Sequence, residues 1–328
     1  EDIDPATVSN STVKLQLGAS TVTATVSYTA NARTATLIPS TPLLFSSTYT
    51  ATVTGGSSGI KDIAGNPLAA DYTFSFTTQA TPPVPPDDGS GGPVLVVSSV
   101  SNPFSRYTVE ILRAEGYTAF KAMDISELTP AILNAYDVVV LGHIGLTSAQ
   151  QTMLSDWTNA GGTLIAFRPD PSFASFFGIT AAGSTLSDGY LLVNTTAGLP
   201  GAGIVNQTIQ YHGVADLYTL SGATSLATLY SNVTVATSNP AVTTINVGSN
   251  GGKAIAFTYD LASSVVYTRQ GNPAWTGQKR DGAIDPIRSD DMFYPDWINL
   301  DKVAIPQADE QQHLLTNIIL LGNLHRKP

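Results

Sequence analysis

The sequence predicts a multidomain chain, an all-β sandwich followed by a doubly wound α/β domain with an additional β-rich region. Three observations predict it. Residues 1–79 hold short segments of period-two alternation, such as "VTATVSY" and "DYTFSFTT", separated by Gly, Pro and Asn turns. A Pro- and Gly-rich run, "QATPPVPPDDGSGGP", occupies residues 79–93. Beyond it, continuous β-branched runs such as "VLVVSS" and "YDVVVLG" alternate with stretches of helical period. The 328 residues also exceed the usual size of one domain, roughly 100 to 200 residues.

Composition narrows the function. Charged residues are only 12% of the chain, and 15 basic against 25 acidic residues give a net charge of -10. A nucleic-acid partner is therefore disfavoured, because phosphate would be repelled and no basic cluster offsets this. There is no Cys, which removes disulfides, thiolate metal sites and a Cys nucleophile. No apolar run reaches the ~18 residues of a membrane span. Few charges with abundant Thr, Ser, Ala and Gly suit a secreted or cell-surface bacterial protein, and a start at Glu1 suits a processed chain or an excised fragment.

In the first domain, "TATLIP" and "TYTATVTG" join "VTATVSY" and "DYTFSFTT" as half-buried antiparallel strands, and "TANAR", "PSTP" and "AGNP" reverse the chain between them. "IDPATVSNSTVKL", "VSYTANARTATLIPSTPL", "YTATVTGGSSGIKDIAGNPLA" and "DYTFSFTT" resemble the bacterial immunoglobulin-like domain of surface-layer type over residues 1–79. That resemblance implies a spacer or presenting module and brings no catalytic residue. Asp62 and Asn66 of "GIKDIAGNP" offer oxygen ligands for calcium, or else shape the turn by side-chain to backbone hydrogen bonds.

The segment 80–92 reads as an interdomain linker, extended in its Pro half and flexible in its Gly half. After it, "VLVVSS" is a strand, "FSRYTVEILRAEG" a helix stopping at Gly116, "YTAFKAMDI" a strand and "SELTPAILNA" a short helix. "YDVVVLG" is the clearest buried strand, "TSAQQTMLSDWTNAGG" a capped helix, and "TLIAFRP" a further strand. Such alternation specifies a doubly wound, flavodoxin-like core over residues 93–328, with a β-rich insertion at 183–250 and a long loop at 267–301. "GGKAIAFTYDLASSVVYTRQGNP" is expected as a late strand and turn, and "ADEQQHLLTNIILLGNL" as a closing helix. "YDVVVLG" followed by "LSDWTNAGGTLIAFRP" resembles the class I glutamine amidotransferase-like superfamily, in its non-amidotransferase branches, over about residues 93–180. Those branches include the trimerisation domain of certain β-galactosidases. Amidotransferases carry a Cys on the turn after a central strand; this chain has "FRPDP" there, so the resemblance implies the fold without that activity.

Ligands of open α/β sheets gather past the carboxyl ends of strands, which singles out His143 after "YDVVVLG", Arg168 and Asp170 after "TLIAF", and Tyr259 and Asp260 after "KAIAFT". Arg168 and Asp170 suit a sugar hydroxyl or carboxylate, or form a local ion pair. Ser172 lacks a nucleophile-elbow pattern and is expected to cap a helix. His143 and His212 with Asp170 or Asp216 lack metal-site spacing, while His313 and His325 are expected to be solvated. The 267–301 loop contributes aromatic residues able to stack on sugars or anchor contacts (Trp275, Tyr294, Trp297) and the polar partners Arg269, Arg280, Arg288, Asp290 and Asp291. Asp281, Asp285, Asp290 and Asp291 also permit a carboxylate pair.

The expected function is non-catalytic: a spacer joined to a carbohydrate- or protein-binding module. The alternatives are a carbohydrate-active hydrolase acting at the carboxyl end of the sheet, and an oligomerisation domain. No catalytic residue, metal or cofactor is assigned; the expected partners are carbohydrate or flanking domains of the same protein.

Overall fold

A computed structural model describes residues 2–79, 89–198, 200–282, 286–295, 297, 299–302, 304–322 and 324. The chain forms two compact units, Glu1–Pro85 and Pro86–Pro328. Most of the expected linker, residues 80–88, lies outside the described residues.

In the first unit, β1 (Val13–Leu17), β2 (Ser20–Thr21), β5 (Thr48–Val53) and β6 (Tyr72–Thr77) form an antiparallel sheet in the order β2-β1-β5-β6, and β3 (Ala24–Thr29) pairs with β4 (Thr34–Pro39). The alternation in sequence has a direct cause in the β5–β6 pair. On one face Thr48 bonds Thr77 (2.9 Å) and Thr50 bonds Ser75 (2.8 Å), while on the other Tyr49 is buried and stacks on Phe76. Asp62 shapes its turn, accepting from the Ala64 and Asn66 amides and from Asn66 Nδ2. These bonds, led by the one from the Asn66 side chain, hold the Asp62 carboxyl below its ordinary value.

The second unit is built on a nine-stranded mixed sheet. Strands β7 (Val94–Ser98), β8 (Phe120–Asp124), β9 (Val138–Leu141), β10 (Thr163–Phe167) and β17 (Gly252–Phe257) run parallel in the order β8-β7-β9-β10-β17. Numbered among themselves in chain order they read 2-1-3-4-5, so the order reverses between β7 and β9. The expected β-rich insertion does not stand apart from this sheet. Strands β12 (Tyr190–Val193), β13 (Ile209–Gln210), β15 (Thr224–Tyr230) and β16 (Ala236–Val247) extend it antiparallel beyond β17. Only β11 (Ile179–Ser187) and β14 (Val214–Leu220) form a separate ribbon.

Because side chains alternate across a strand, the apolar runs supply two cores at once. One face carries Val94, Val96, Val138, Val140, Ile165, Phe167, Ile255 and Phe257, covered by α1 (Thr108–Ala114), α4 (Leu261–Gln270) and α5 (Gln307–Ile319). The other carries Leu95, Val97, Val139, Leu141, Leu164 and Ala166, covered by Leu133 of α2 (Pro130–Leu133), by Leu154 and Trp157 of α3 (Ser148–Asn159), and by Phe173 and Phe177. Helix α3 opens with the expected cap, a reciprocal capping box between Thr147 and Gln150.

Two expectations need correction. The late segment is a strand and a helix, not a strand and a turn. Ser263, Val265, Val266 and Thr268 make α4 a weak helix by propensity, yet every residue from Leu261 to Val266 is buried, so packing overrides the local preference. Ser172 is not the cap of the short 3₁₀ helix Pro171–Phe177. Asp170 is, accepting from the Ser172 amide (2.9 Å) and hydroxyl (2.7 Å).

Candidate ligand-binding cleft

The carboxyl ends of the parallel strands converge on an open cleft of about 460 Å³. Four connections supply it: Ser101 and Asn102 beyond β7, His143 beyond β9, Arg168 beyond β10, and Asp260 beyond β17. Phe104, Ser263 and Tyr267 also line it. A glycine makes the approach of two connections possible, since a Cβ at Gly142 would lie 2.5 Å from the Cβ of Ser105.

Asn102 ties these connections together. Its Nδ2 donates to the His143 carbonyl oxygen (3.1 Å) and to Asp260 Oδ2 (3.2 Å), while its Oδ1 accepts from the Phe104 amide (3.1 Å). Asp260 caps α4, Oδ1 accepting from the Ala262 (3.2 Å) and Ser263 (3.4 Å) amides. Phe104 meets Tyr267 edge-on with centroids 5.1 Å apart.

Arg168 and Asp170 do not pair with each other. Arg168 Nε and Nη2 bind both oxygens of Asp216 on β14, at 3.0 and 2.8 Å. Strand β14 is held there by the Asp216 amide bonding the Thr258 carbonyl (2.9 Å) and by a bridge between Ala215 and Tyr259. Arg168 itself has φ +41°, a left-handed backbone that costs a non-glycine residue of order 1 kcal/mol or more and collects at functional sites. The hydrogen bonds to Asp216 raise the Arg168 guanidinium above its ordinary value.

Asp170 turns away into local bonds with Ser172 and the Leu146 amide (3.0 Å). Burial would raise its carboxyl, but these bonds and the nearby His143 outweigh burial and hold it low. Tyr259 is wholly buried and does not reach the rim; burial raises its hydroxyl. Burial also pushes the Tyr218 hydroxyl beneath the Arg168–Asp216 pair up to about 12.

His143 is half-buried, and burial lowers its imidazole below the ordinary value against the opposing pull of Asp260. A neutral imidazole is favoured by folding, so His143 contributes stability that is present above about pH 6.5 and is lost as pH falls through that window. Titration followed by NMR is expected to place the His143 imidazole below the unfolded-chain value, with a stability slope between those values that His143→Gln removes. A titration at or above the ordinary value would contradict this burial.

The loop candidates belong to a second cluster. Trp297 stacks on the buried His212 at 4.2 Å, touches Tyr267 and Trp275, and Arg280 lies 4.0 Å above the Trp275 ring. Only Tyr267 of this segment lines the cleft. Arg269 pairs with Asp309, and the exposed Asp290 caps the turn through its carbonyl, which accepts from Phe293 and Tyr294. Buried Asp291 accepts from the Arg280, Asp281 and Arg288 amides and from Lys279, which hold it well below the carboxylate range. The Arg288 guanidinium lies 3.8 Å from Asp281. Carboxylate oxygens of Asp281, Asp290 and Asp291 lie within 4.8 Å of one another, but Lys279 already supplies the cation to Asp281 and Asp291. His313 is not simply solvated, since its Nδ1 lies 3.4 Å from Glu115; Asp285 and His325 lie outside the described residues.

Sequence reading missed Asn102, Phe104, Ser263 and Tyr267. The rule that found His143 also reaches Asn102, four residues past the end of β7. No local signal marks Asp216 as the partner of Arg168, because a strand 48 residues away delivers it.

These elements define a multidomain, β-rich protein with few helices and an Ig-like N-terminal domain. Residues 1–78 match the family model of the bacterial Ig-like domain. No curated protein matches the chain. Among solved structures, the chain is similar to the β-galactosidase from Rahnella sp. R3 (17% identity, 51% of this chain and 28% of that one, TM-score 0.40). It is similar also to an exo-β-1,4-mannosidase from Opitutaceae bacterium strain TAV5 (12% identity, 55% and 33%, TM-score 0.41). A third is a cytoplasmic protein from Salmonella typhimurium (13% identity, 78% and 92%, TM-score 0.42). The chain thus spans about a third or less of the length of the two glycosidases. Among the described residues no helix is long and apolar enough to cross a membrane.

Proposed function

We propose that this chain is part of a secreted or cell-surface bacterial multidomain protein in which the Ig-like unit is a spacer and the α/β unit binds carbohydrate without turning it over. The observation that carries this reading is the convergence of four βα connections on one cleft at the point where the strand order reverses, the place where open α/β sheets take their ligands. Its wall combines planar hydrogen-bonding side chains, Asn102, Asp260 and Arg168, with the aromatic rings of Phe104 and Tyr267, a mixture suited to hydroxyl groups and the apolar part of a sugar. The parallel strand order 2-1-3-4-5 supports this reading of a flavodoxin-like, amidotransferase-like core.

Binding without turnover follows from how the acids are used. Asp216 is held bidentately by Arg168, and Asp260 caps a helix while accepting from Asn102, so neither is a loose proton donor of the kind a hydrolase needs. A thermal-shift screen against mono- and polysaccharides is expected to give a stabilising shift of several degrees with one sugar class, lost in Asn102→Ala, with no product formed on long incubation. No shift with any sugar would sink the carbohydrate reading, and released product would sink its non-catalytic half.

A further inference from the structure

Within that reading, the charge balance of the cleft selects among sugars. Of its walls only Arg168 carries a fixed positive charge, and its Nε–Nη2 edge is held by the Asp216 carboxylate, which neutralises that charge. Burial of the His143 ring disfavours its charged form. Asp260 is different: it is 7% exposed, receives hydrogen bonds only from the neutral Asn102 side chain and two backbone amides, and has no cationic partner among the described residues. An anionic sugar entering the cleft would therefore meet a cation already paired with Asp216, and would approach a carboxylate that has no ion-pair partner among the described residues.

A cation in the same place has two attractions. It neutralises Asp260, and it meets the aromatic rings of Phe104 and Tyr267, which line the same cleft and touch edge to face. We propose that Asp260 is a specificity determinant and that the cleft selects sugars carrying a free ammonium group, amino sugars, over neutral and acidic ones. The inference rests on the carbohydrate reading above and adds the ligand's charge to it. Asp260 would contact the ammonium through the oxygen that now accepts from Asn102, leaving the other on the helix amides.

Isothermal titration of the full chain with glucosamine, glucose, N-acetylglucosamine and glucuronate separates the outcomes. Glucosamine is expected to bind about ten-fold tighter than glucose or N-acetylglucosamine, which match its ring without the charge, and glucuronate weakest. Asp260→Asn keeps an oxygen to cap α4 and should bring glucosamine down to the level of glucose, while Phe104→Leu should lower binding of both and narrow the gap between them. Equal affinity for glucosamine and glucose, or a preference that survives Asp260→Asn, overturns the amino-sugar selection and leaves carbohydrate binding standing. Failure of all four sugars removes the carbohydrate reading and this selection with it.

Discussion

Replacing Asp216 by Ala is expected to cost about 2 kcal/mol of stability and to abolish ligand binding at the cleft. The substitution leaves the Arg168 guanidinium, with 24% of its side chain exposed, next to Tyr218 and without the carboxylate that binds it at two points. Removing one partner of a fully buried pair costs about 3 to 5 kcal/mol; the partial exposure of both side chains here lets water screen part of that loss. Since Arg168 also holds a left-handed backbone, the freed side chain and its turn are expected to move together. Arg168→Ala should cost a similar amount, because it leaves Asp216, 21% exposed, without its two-point partner, and the double variant should recover part of the loss. Urea unfolding of the four proteins measures the coupling. If each single variant lies within about 0.5 kcal/mol of the parent, the pair does not hold β14 against the rim.

Phe257→Ala is expected to lower stability by about 4 kcal/mol. Phe257 ends the last parallel strand and is 0% exposed; it meets Phe167 of β10 edge-on at 5.3 Å and Tyr259 at 6.0 Å. Its carbonyl also accepts from the Arg168 amide (2.7 Å), so this ring sits directly beneath the site. Neighbours fixed by a parallel ladder to β10 on one side and an antiparallel ladder to β16 on the other collapse poorly into the space left by a ring, which places the cost toward the upper end for such truncations. Phe257→Leu keeps most of the volume and should cost under half as much. A loss below about 1.5 kcal/mol for the Ala variant, measured by denaturant unfolding, would mean the core under the rim is not packed as described.

Much of this architecture is visible in the residue order. The hydroxyl and aromatic alternation of "TYTATV" and "YTFSFT" already contains the Thr–Thr ladder and the Tyr49–Phe76 stack, because strand periodicity assigns each residue to a face without reference to its partner. "VLVVS", "VVVL" and "TLIAF" announce strands covered on both sides. Helix α4 was not visible, since Ser, Val and Thr disfavour a helix locally and only burial between the sheet and α5 stabilises it.

The site divides in the same way. Placing His143, Arg168 and Asp260 at a common rim needed only the rule that a βα connection leaves a strand at its carboxyl end. Their partners needed the folded chain: Asn102 reaches across to Asp260 over 158 residues, and Asp216 reaches Arg168 from a ribbon whose position follows from the β11–β14 pairing. The aromatic loop shows the limit most plainly, because its composition fits a contact surface and a loop pinned to the sheet equally well, and only the fold shows Trp297 stacked on His212 and Asp281 and Asp291 paired with Lys279.

The sequence by itself therefore determined the two-unit plan, the strand and turn chemistry of the Ig-like domain, the alternating core and the absence of a Cys nucleophile, all of which depend on residue type and short-range period. Tertiary structure alone decided which charges neutralise one another and which aromatic rings line the cleft. Hydrogen-bond and ion-pair geometry act over about 3 Å between residues far apart in the chain, and no local pattern encodes such a distance.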